Sequence, residues 1–230
     1  MSIRLHNIDC MEFMASLPDK CYDLAIVDPP YFNGPHKLGY FGDPSVYSRT
    51  GVCRTGYKTI GIWERPDQQY LEELRRVSIH QIIWGINYYD FSGVGSGRIV
   101  WDKVNDTSTF SDCEIAYCSI IEGVKIFRFM WNGMMQGKNI FEGYIMQGNK
   151  KLNEDRIHPT QKPITLYKWL LGQYAKQGYK ILDTHGGSMS IAIACYDMGF
   201  ELDLCELDTD YYAAGKARVE RHMAQGRLFG

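Results

Sequence analysis

The 230-residue chain has no apolar run approaching the ~20 residues a helix needs to cross a bilayer, which argues against membrane spanning. Low-complexity tracts, internal repeats and linkers are missing too, so a single domain over residues 1–230 is expected, long enough to bury a core without staples. The opening residues, Met1-Ser2-Ile3-Arg4-Leu5-His6-Asn7, lack the apolar core and small-residue cleavage site of a secretory leader and read as the mature start of a cytoplasmic protein. No two of the seven cysteines have C-x-x-C spacing, their number is odd, and Cys113 and Cys118 lack companions for a zinc site. Buried thiols in a reducing compartment, without a metal, are the expectation.

Net charge is small as well, −2, but it is unevenly spread. Residues 32–66 carry Lys37, Arg49, Arg54, Lys58 and Arg65 against Asp43 and Glu64, a balance of +3. Residues 125–156 carry Lys125, Arg128, Lys138, Lys150, Lys151 and Arg156 against Glu142, Glu154 and Asp155, again +3, so the rest of the chain sums to −8. Two basic inserts on an acidic scaffold suit a polyanion-binding face, and they equally suit two solvated loops.

What is present is an alternation of strand-like and helix-like segments. Tyr22-Asp23-Leu24-Ala25-Ile26-Val27 is an almost continuous apolar run, as in a strand buried on both faces of a parallel sheet, and Pro29-Pro30 stops it. Further strands are predicted at Ile3 to Asn7, Ile79 to Gly85, Ile99 to Trp101, Ile115 to Ser119, Lys180 to Asp183 and Glu201 to Glu206. Helices are predicted at Met11 to Leu17, Pro66 to Val77, Pro163 to Tyr174, Ser190 to Met198 and Thr209 to Met223. Residues 32–64 read as a long loop and 125–156 as irregular or a β-hairpin. Such alternation implies an α/β fold with a mostly parallel sheet covered on both faces.

Two segments carry chemistry. Ile181-Leu182-Asp183-Thr184-His185-Gly186-Gly187-Ser188 sets glycines between a buried strand and a helix, where backbone can approach a nucleotide-like ligand, and Glu206, twenty residues after Gly186, ends the next strand where a carboxylate can accept from ribose hydroxyls. The third glycine of G-x-G-x-x-G is absent, so a pyrophosphate finds a poor cradle; a tight turn and a solvated strand end are the bland alternative. Asp28-Pro29-Pro30-Tyr31 is the more informative one. An exocyclic amine on a base is a poor nucleophile, and an acceptor pair, the Asp28 carboxylate and the Pro29 carbonyl, can take both its N–H groups and stabilise the positive charge that develops as it attacks a sulfonium methyl. The prolines fix those acceptors, and Tyr31 offers a face for an extruded base, worth ~1–3 kcal/mol of stacking.

In these residues and their order the chain resembles the amino-group DNA methyltransferases in their permuted β-type arrangement. Asp28 to Tyr31 resembles that family's D-P-P-Y, His158-Pro159-Thr160-Gln161-Lys162-Pro163 its H-x-T-x-K-P, and Asp183 to Ser188 its D-x-F-x-G-S-G loop, with His185 in place of an aromatic and Met189 in place of the last glycine. Trp84-Gly85-Ile86-Asn87-Tyr88 and Trp101-Asp102-Lys103 also look like family segments, without assignable chemistry. The resemblance implies a doubly wound, mostly parallel, seven-stranded Rossmann-like sheet, circularly permuted so that the last helix would otherwise lead into the first strand. It implies S-adenosylmethionine as cofactor, with Asp28, Asp183, Gly186, Lys162 and Thr160 around its methionine part, Glu206 at the ribose, Asp9 at the adenine, and His158, His185, Gly187 and Ser188 nearby. His158 is read as structural or cofactor-contacting, since the reaction needs no strong base. It further implies double-stranded DNA as partner, met by Lys37, Arg49, Arg54 and Lys58 of the loop and by Lys138, Lys150 and Lys151 of a candidate target-recognition insert at 125–156, in a monomer or homodimer.

Adenine N6 is the expected target, because Asp28 stands where serine is common in cytosine-N4 enzymes of the family. Cytosine N4 is the nearest rival. A nicotinamide-dependent oxidoreductase would leave Asp28 to Tyr31 unexplained, and a non-catalytic DNA-binding module would follow if His185 and Met189 spoiled cofactor binding.

Overall fold

The computed structural model describes residues 2–31, 64–105, 111–132 and 135–226. Along the chain run β1 (Ile3–His6), α1 (Cys10–Ala15), β2 (Tyr22–Val27), α2 (Gln68–Val77), β3 (Ser78–Trp84), β4 (Arg98–Asp102), β5 (Cys113–Cys118), β6 (Val124–Arg128), β7 (Trp131–Asn132), β8 (Met135–Gln136), α3 (Ile164–Tyr174), β9 (Lys180–Asp183), α4 (Ser190–Met198), β10 (Glu201–Cys205) and α5 (Thr209–Gly226). Short 3-10 turns occupy Ile86–Tyr88 and Lys150–Leu152.

Eight of these strands form one sheet in the order β1-β10-β9-β2-β3-β5-β4-β6, and β7 pairs β8 in a separate antiparallel hairpin. Within the large sheet β5 alone runs against its neighbours β3 and β4. The expected count of seven strands is therefore corrected to eight. The addition is β6, which had been included in the irregular insert; it pairs in parallel with β4 at the sheet edge, where only Phe127 is buried, so it carries no alternating apolar signal.

Side-chain alternation along the central strands divides the core in two, since successive residues point to opposite faces. Leu24 and Ile26 of β2 pack with α3, α4 and α5 residues such as Leu170, Ile193 and Val219 on one face. Ala25 and Val27 pack with Met14 of α1 and Leu71 and Leu74 of α2 on the other. Helix α2 begins at Gln68, just after Pro66, because the Asp67 side chain accepts from Tyr70 N (3.0 Å) and caps the first turn.

From β9 the chain winds through α4 to β10 on one side, and from β2 through α2 to β3 on the other, so the order reverses between β9 and β2. Ligands of doubly wound sheets bind outside the C-terminal ends of strands at such a reversal.

Candidate active site

A cleft of about 620 Å³ lies at that reversal. Strand β2 delivers Asp28, Pro29, Pro30 and Tyr31 to it; the turn after β9 delivers Thr184, His185, Gly186, Gly187 and Ser188; the end of β10 delivers Glu206. Asp9, after β1, and His158, Thr160 and Lys162, before α3, complete the lining. Every residue expected at a catalytic or cofactor position thus meets in one cavity except Asp183, which is buried behind it and accepts from His185 N (3.0 Å) through Oδ1. Burial pushes the Asp183 carboxyl up to about 8.

Asp28 is the pivot of the site. Its Oδ2 forms an ion pair with Lys162 Nζ, and Lys162 reaches Glu114 Oε2 at 2.9 Å. With its side chain only 1% exposed, the Lys162 ammonium needs both carboxylates. Burial pushes the Asp28 carboxyl up and Lys162 pulls it back toward the ionised form, while Glu114 repels it. The other oxygen, Asp28 Oδ1, is buried and has no hydrogen-bond partner among the described residues. A buried acceptor left open in this way is costly unless a ligand satisfies it.

The residues 84–89 form the seat for this turn. Tyr89 Oη donates to Pro29 O (2.8 Å) and less closely to Pro30 O (3.3 Å), holding the carbonyl in place with a lone pair to spare. Tyr31 stacks on Tyr88 with ring centroids 5.1 Å apart and planes 18° apart. Gly85 has φ +71°, and a Cβ there would lie 2.3 Å from Tyr31 Cδ1, so only glycine lets the tyrosine settle. Tyr89, Gly85 and Glu114 are not among the residues the sequence assigns to the site; the resembling segment Trp84 to Tyr88 includes Gly85 and stops one residue short of Tyr89.

On the cofactor side, a Cβ on Gly186 would meet Leu204 Cδ2 at 2.3 Å, and Gly187 adopts φ +50° against the His158 ring. Glu206 Oε2 accepts from Gly187 N (2.7 Å) and Oε1 from Asp208 N (2.8 Å), which fixes the carboxylate at the rim while leaving lone pairs for other donors. Asp9 Oδ1 caps α1 by accepting from Met11 N and Glu12 N. His158 Nδ1 lies 3.2 Å from Thr160 Oγ1, and His185 Nδ1 lies 2.9 Å from Thr184 Oγ1, which in turn meets Tyr70 Oη at 2.6 Å. Burial lowers both imidazoles, His158 to about 3 and His185 to about 4, so both are neutral near pH 7.

Of the basic candidates, the described ones, Lys138, Lys150 and Lys151, do not line the cavity. Lys138 pairs with Glu142 (2.7 Å), and Lys150 and Lys151 are exposed on their 3-10 turn. Lys37, Arg49, Arg54 and Lys58 lie outside the described residues. No helix among the described residues is long and apolar enough to cross a membrane.

Residues 132–217, which include the His158–Lys162 turn, the glycine turn and Glu206, match the family model described as DNA methylase. YubD of Escherichia coli (strain K12), named as a methylase, is 26% identical over 95% of this chain and 92% of its own length. The M1.HpyAVI structure in complex with S-adenosylmethionine superposes with a TM-score of 0.55 at 16% identity, covering 94% of this chain and all of that one. TTHA0409 of Thermus thermophilus, named as a DNA modification methylase and also complexed with S-adenosylmethionine, gives 0.53 at 14% identity over 96% and 94%. The cytosine-N4-specific PvuII DNA methyltransferase gives 0.55 at 12% identity over 97% and 91%. Residues 132–217 are thus similar in sequence to the DNA methylase family, and the fold is shared over nearly the whole chain with structures of DNA methyltransferases, two of them in complex with S-adenosylmethionine.

Proposed function

We propose that this protein is an S-adenosylmethionine-dependent DNA methyltransferase acting on the N6 amine of an adenine turned out of the duplex. The observation that carries the reading is the open, buried Asp28 Oδ1 in the same cleft as the Gly186–Gly187 turn and Glu206. The cleft's volume suits a nucleoside-sized ligand, and its acceptors fit the donors of ribose and ammonium groups without any cradle for phosphate. The cofactor, when bound, supplies an electrophilic methyl on a sulfonium sulfur. Glu206 and Asp9 would hold its ribose and adenine ends, and Thr160, Lys162, His158, His185 and Ser188 would border the rest.

Asp28 Oδ1 accepts one N–H of the target amine and the Pro29 carbonyl accepts the other. Together they draw the nitrogen lone pair out of the ring and stabilise its developing positive charge. Pro30 and Tyr89 keep these acceptors from reorganising, and the exposed part of Tyr31 borders the base. The surplus proton leaves only after the amine has become cationic, so no strong base is required. The loop 32–64 and the insert 125–156 belong to the same catalytic domain and bring Lys37, Arg49, Arg54, Lys58, Lys138, Lys150 and Lys151 to the DNA backbone. The chain order is that of a doubly wound sheet opened between α5 and β1, in keeping with β1 pairing β10 and Tyr212 Oη donating to Leu5 O (3.2 Å).

Adenine is preferred over cytosine N4 because a carboxylate rather than a hydroxyl occupies position 28. The test is incubation of duplex DNA with methyl-labelled cofactor followed by mass analysis of nucleosides. The expected product is N6-methyladenine, lost in Asp28→Ala; label in cytosine alone overturns the adenine assignment, and no label in DNA overturns the function.

A further inference from the structure

Lys103 and Glu114 have no part in the reaction as described, yet both are half-buried charges at the same sheet edge as Asp28. Lys103 follows the C-terminal end of β4; Glu114, near the start of antiparallel β5, lies across from Trp101, so strand reversal carries it to the C-terminal edge of its parallel neighbours. Lys103 Nζ meets Glu114 Oε1 at 2.6 Å, Glu114 Oε2 meets Lys162 Nζ at 2.9 Å, and Lys162 Nζ meets Asp28 Oδ2. The four charges alternate in sign and cancel. Neutrality alone does not account for them, since Lys162 and Asp28 already cancel and a second, half-buried pair adds its own desolvation cost. What the second pair changes is the ammonium's allegiance: shared between two carboxylates, it binds Asp28 less tightly than it would alone.

We propose that Glu114 and Lys103 are positioning residues for Asp28, setting through Lys162 how much positive charge its carboxylate shares and so how strongly the open Oδ1 grips the amine. The inference rests on the function proposed above. Glu114 draws Lys162 away from Asp28; Lys103 limits that pull by neutralising Glu114. Other groups facing Asp28 are Tyr31 and Tyr89, Tyr167 of α3 and Asp183 of β9, and the Lys162 ammonium also lies over the Tyr31 and Trp84 rings at 5.6 and 5.4 Å. Burial works against the Glu114 charge, but Lys162 and Lys103 outweigh it and hold its carboxyl below the usual carboxylate range. Toward Asp28 the two act with opposite signs, Glu114 raising its carboxyl and Lys103 lowering it.

The test titrates the Asp28 carboxyl by carbon NMR in the full-length protein, assigned by its loss in Asp28→Asn, alongside single-turnover methyl transfer. In Glu114→Gln the Asp28 midpoint falls, and in Lys103→Met it rises, each by more than about half a pH unit. Lys103→Arg, which keeps the charge, stays close to wild type. Glu114→Gln also slows transfer about ten-fold at its pH plateau, because the carboxylate is now tied to Lys162, while the S-adenosylhomocysteine dissociation constant stays within about three-fold. Midpoints that stay put or move in the same direction overturn the proposal, as does a rate loss matched by loss of cofactor binding. Should Glu114→Gln fail to fold, Glu114→Asp, too short to hold both ammonium groups, replaces it and lowers the midpoint; should Lys103→Met fail, Lys103→Gln replaces it and raises the midpoint. Opposite shifts in the variants, together with a wild type that transfers no methyl group to DNA, would leave the charge coupling standing and remove the proposed function.

Discussion

The side chain of Met189 packs against Gly215 so closely that a Cβ on the glycine would lie 2.7 Å from Met189 Cγ and 2.9 Å from Sδ. Met189 itself has φ 58° and ψ 31°, a left-handed conformation that glycine adopts without strain, and it is fully buried. The absence of a side chain at Gly215 on the facing helix α5 makes room for the methionine. Left-handed geometry costs a non-glycine residue ~1–2 kcal/mol, which burial of a methionine, worth ~1.5–3 kcal/mol, offsets. Gly215→Ala is expected to destabilise by about 1–2 kcal/mol in urea unfolding, overpacking exceeding the gain in helix propensity. Adding Met189→Ala should leave Gly215→Ala neutral or stabilising; two losses that simply add would show that the contact is not what matters.

Gly85→Ala tests the seat of Tyr31. Its Cβ would overlap the tyrosine's Cβ, Cγ and Cδ1, all within 2.8 Å, at a position already held at positive φ. The variant is expected to lose about 2–4 kcal/mol of stability or to expel Tyr31, with methyl transfer falling at least ten-fold. Near-normal stability together with near-normal turnover would contradict the arrangement.

Tyr89→Phe removes one hydroxyl and leaves the ring stacked on Phe91 at 4.7 Å. The Pro29 carbonyl then loses the donor that fixes it. A net hydrogen bond of ~0.5–1.5 kcal/mol corresponds to a roughly two- to thirteen-fold fall in kcat, with cofactor affinity unchanged. A change confined to cofactor affinity would place Tyr89 in a different role.

Where burial is two-sided, the elements could be read directly. β2 and β9 are short apolar runs ended by Pro-Pro and by glycines, and α2 is bracketed by Asp67 and Arg75-Arg76. Strand β6 escaped because an edge strand burying one side chain of five has no period to detect. Much of the cavity's lining was legible for a related reason: Asp9, Asp28 to Tyr31, Thr184 to Ser188 and Glu206 follow strand ends, which can be found locally, whereas His158, Thr160 and Lys162 precede α3 and were legible through the resemblance alone. Glu114 and Lys103 could not be found so, because their meeting with Lys162 depends on β5 running backwards between β3 and β4, and nothing local to residue 114 encodes its neighbours' direction. Asp183, expected in the cavity, is withdrawn because its neighbour His185 turns its N–H back onto it.

Carboxyls raised by burial and imidazoles lowered by it occur together in the molecule, and their linkage to folding has a definite pH pattern. His158 and His185, lowered to about 3 and about 4 by burial, stay neutral in the native protein while an unfolded histidine takes up a proton near pH 6.5. Their contribution is complete above pH 6.5 and is lost as pH falls toward those values. Asp183, raised to about 8 by burial, and Glu154, raised to about 7 by burial against the pull of Arg218, hold protons that the unfolded chain releases near pH 4. Their contribution is complete below pH 4 and is lost as pH rises toward 7 and 8. Each group changes stability by about 1.4 kcal/mol per pH unit inside its window. The opposing slopes nearly cancel between pH 4 and 6.5, after which only the carboxyls act, so urea-unfolding stability is expected to be level at first and to decline from pH 6.5 to 8. Asp183→Asn, which keeps an acceptor for His185 N, should remove most of that decline, and His185→Asn should start the decline near pH 4. Stability that instead climbs from pH 6.5 to 8 would mean that Asp183 is ionised in the native protein, with a partner for its charge.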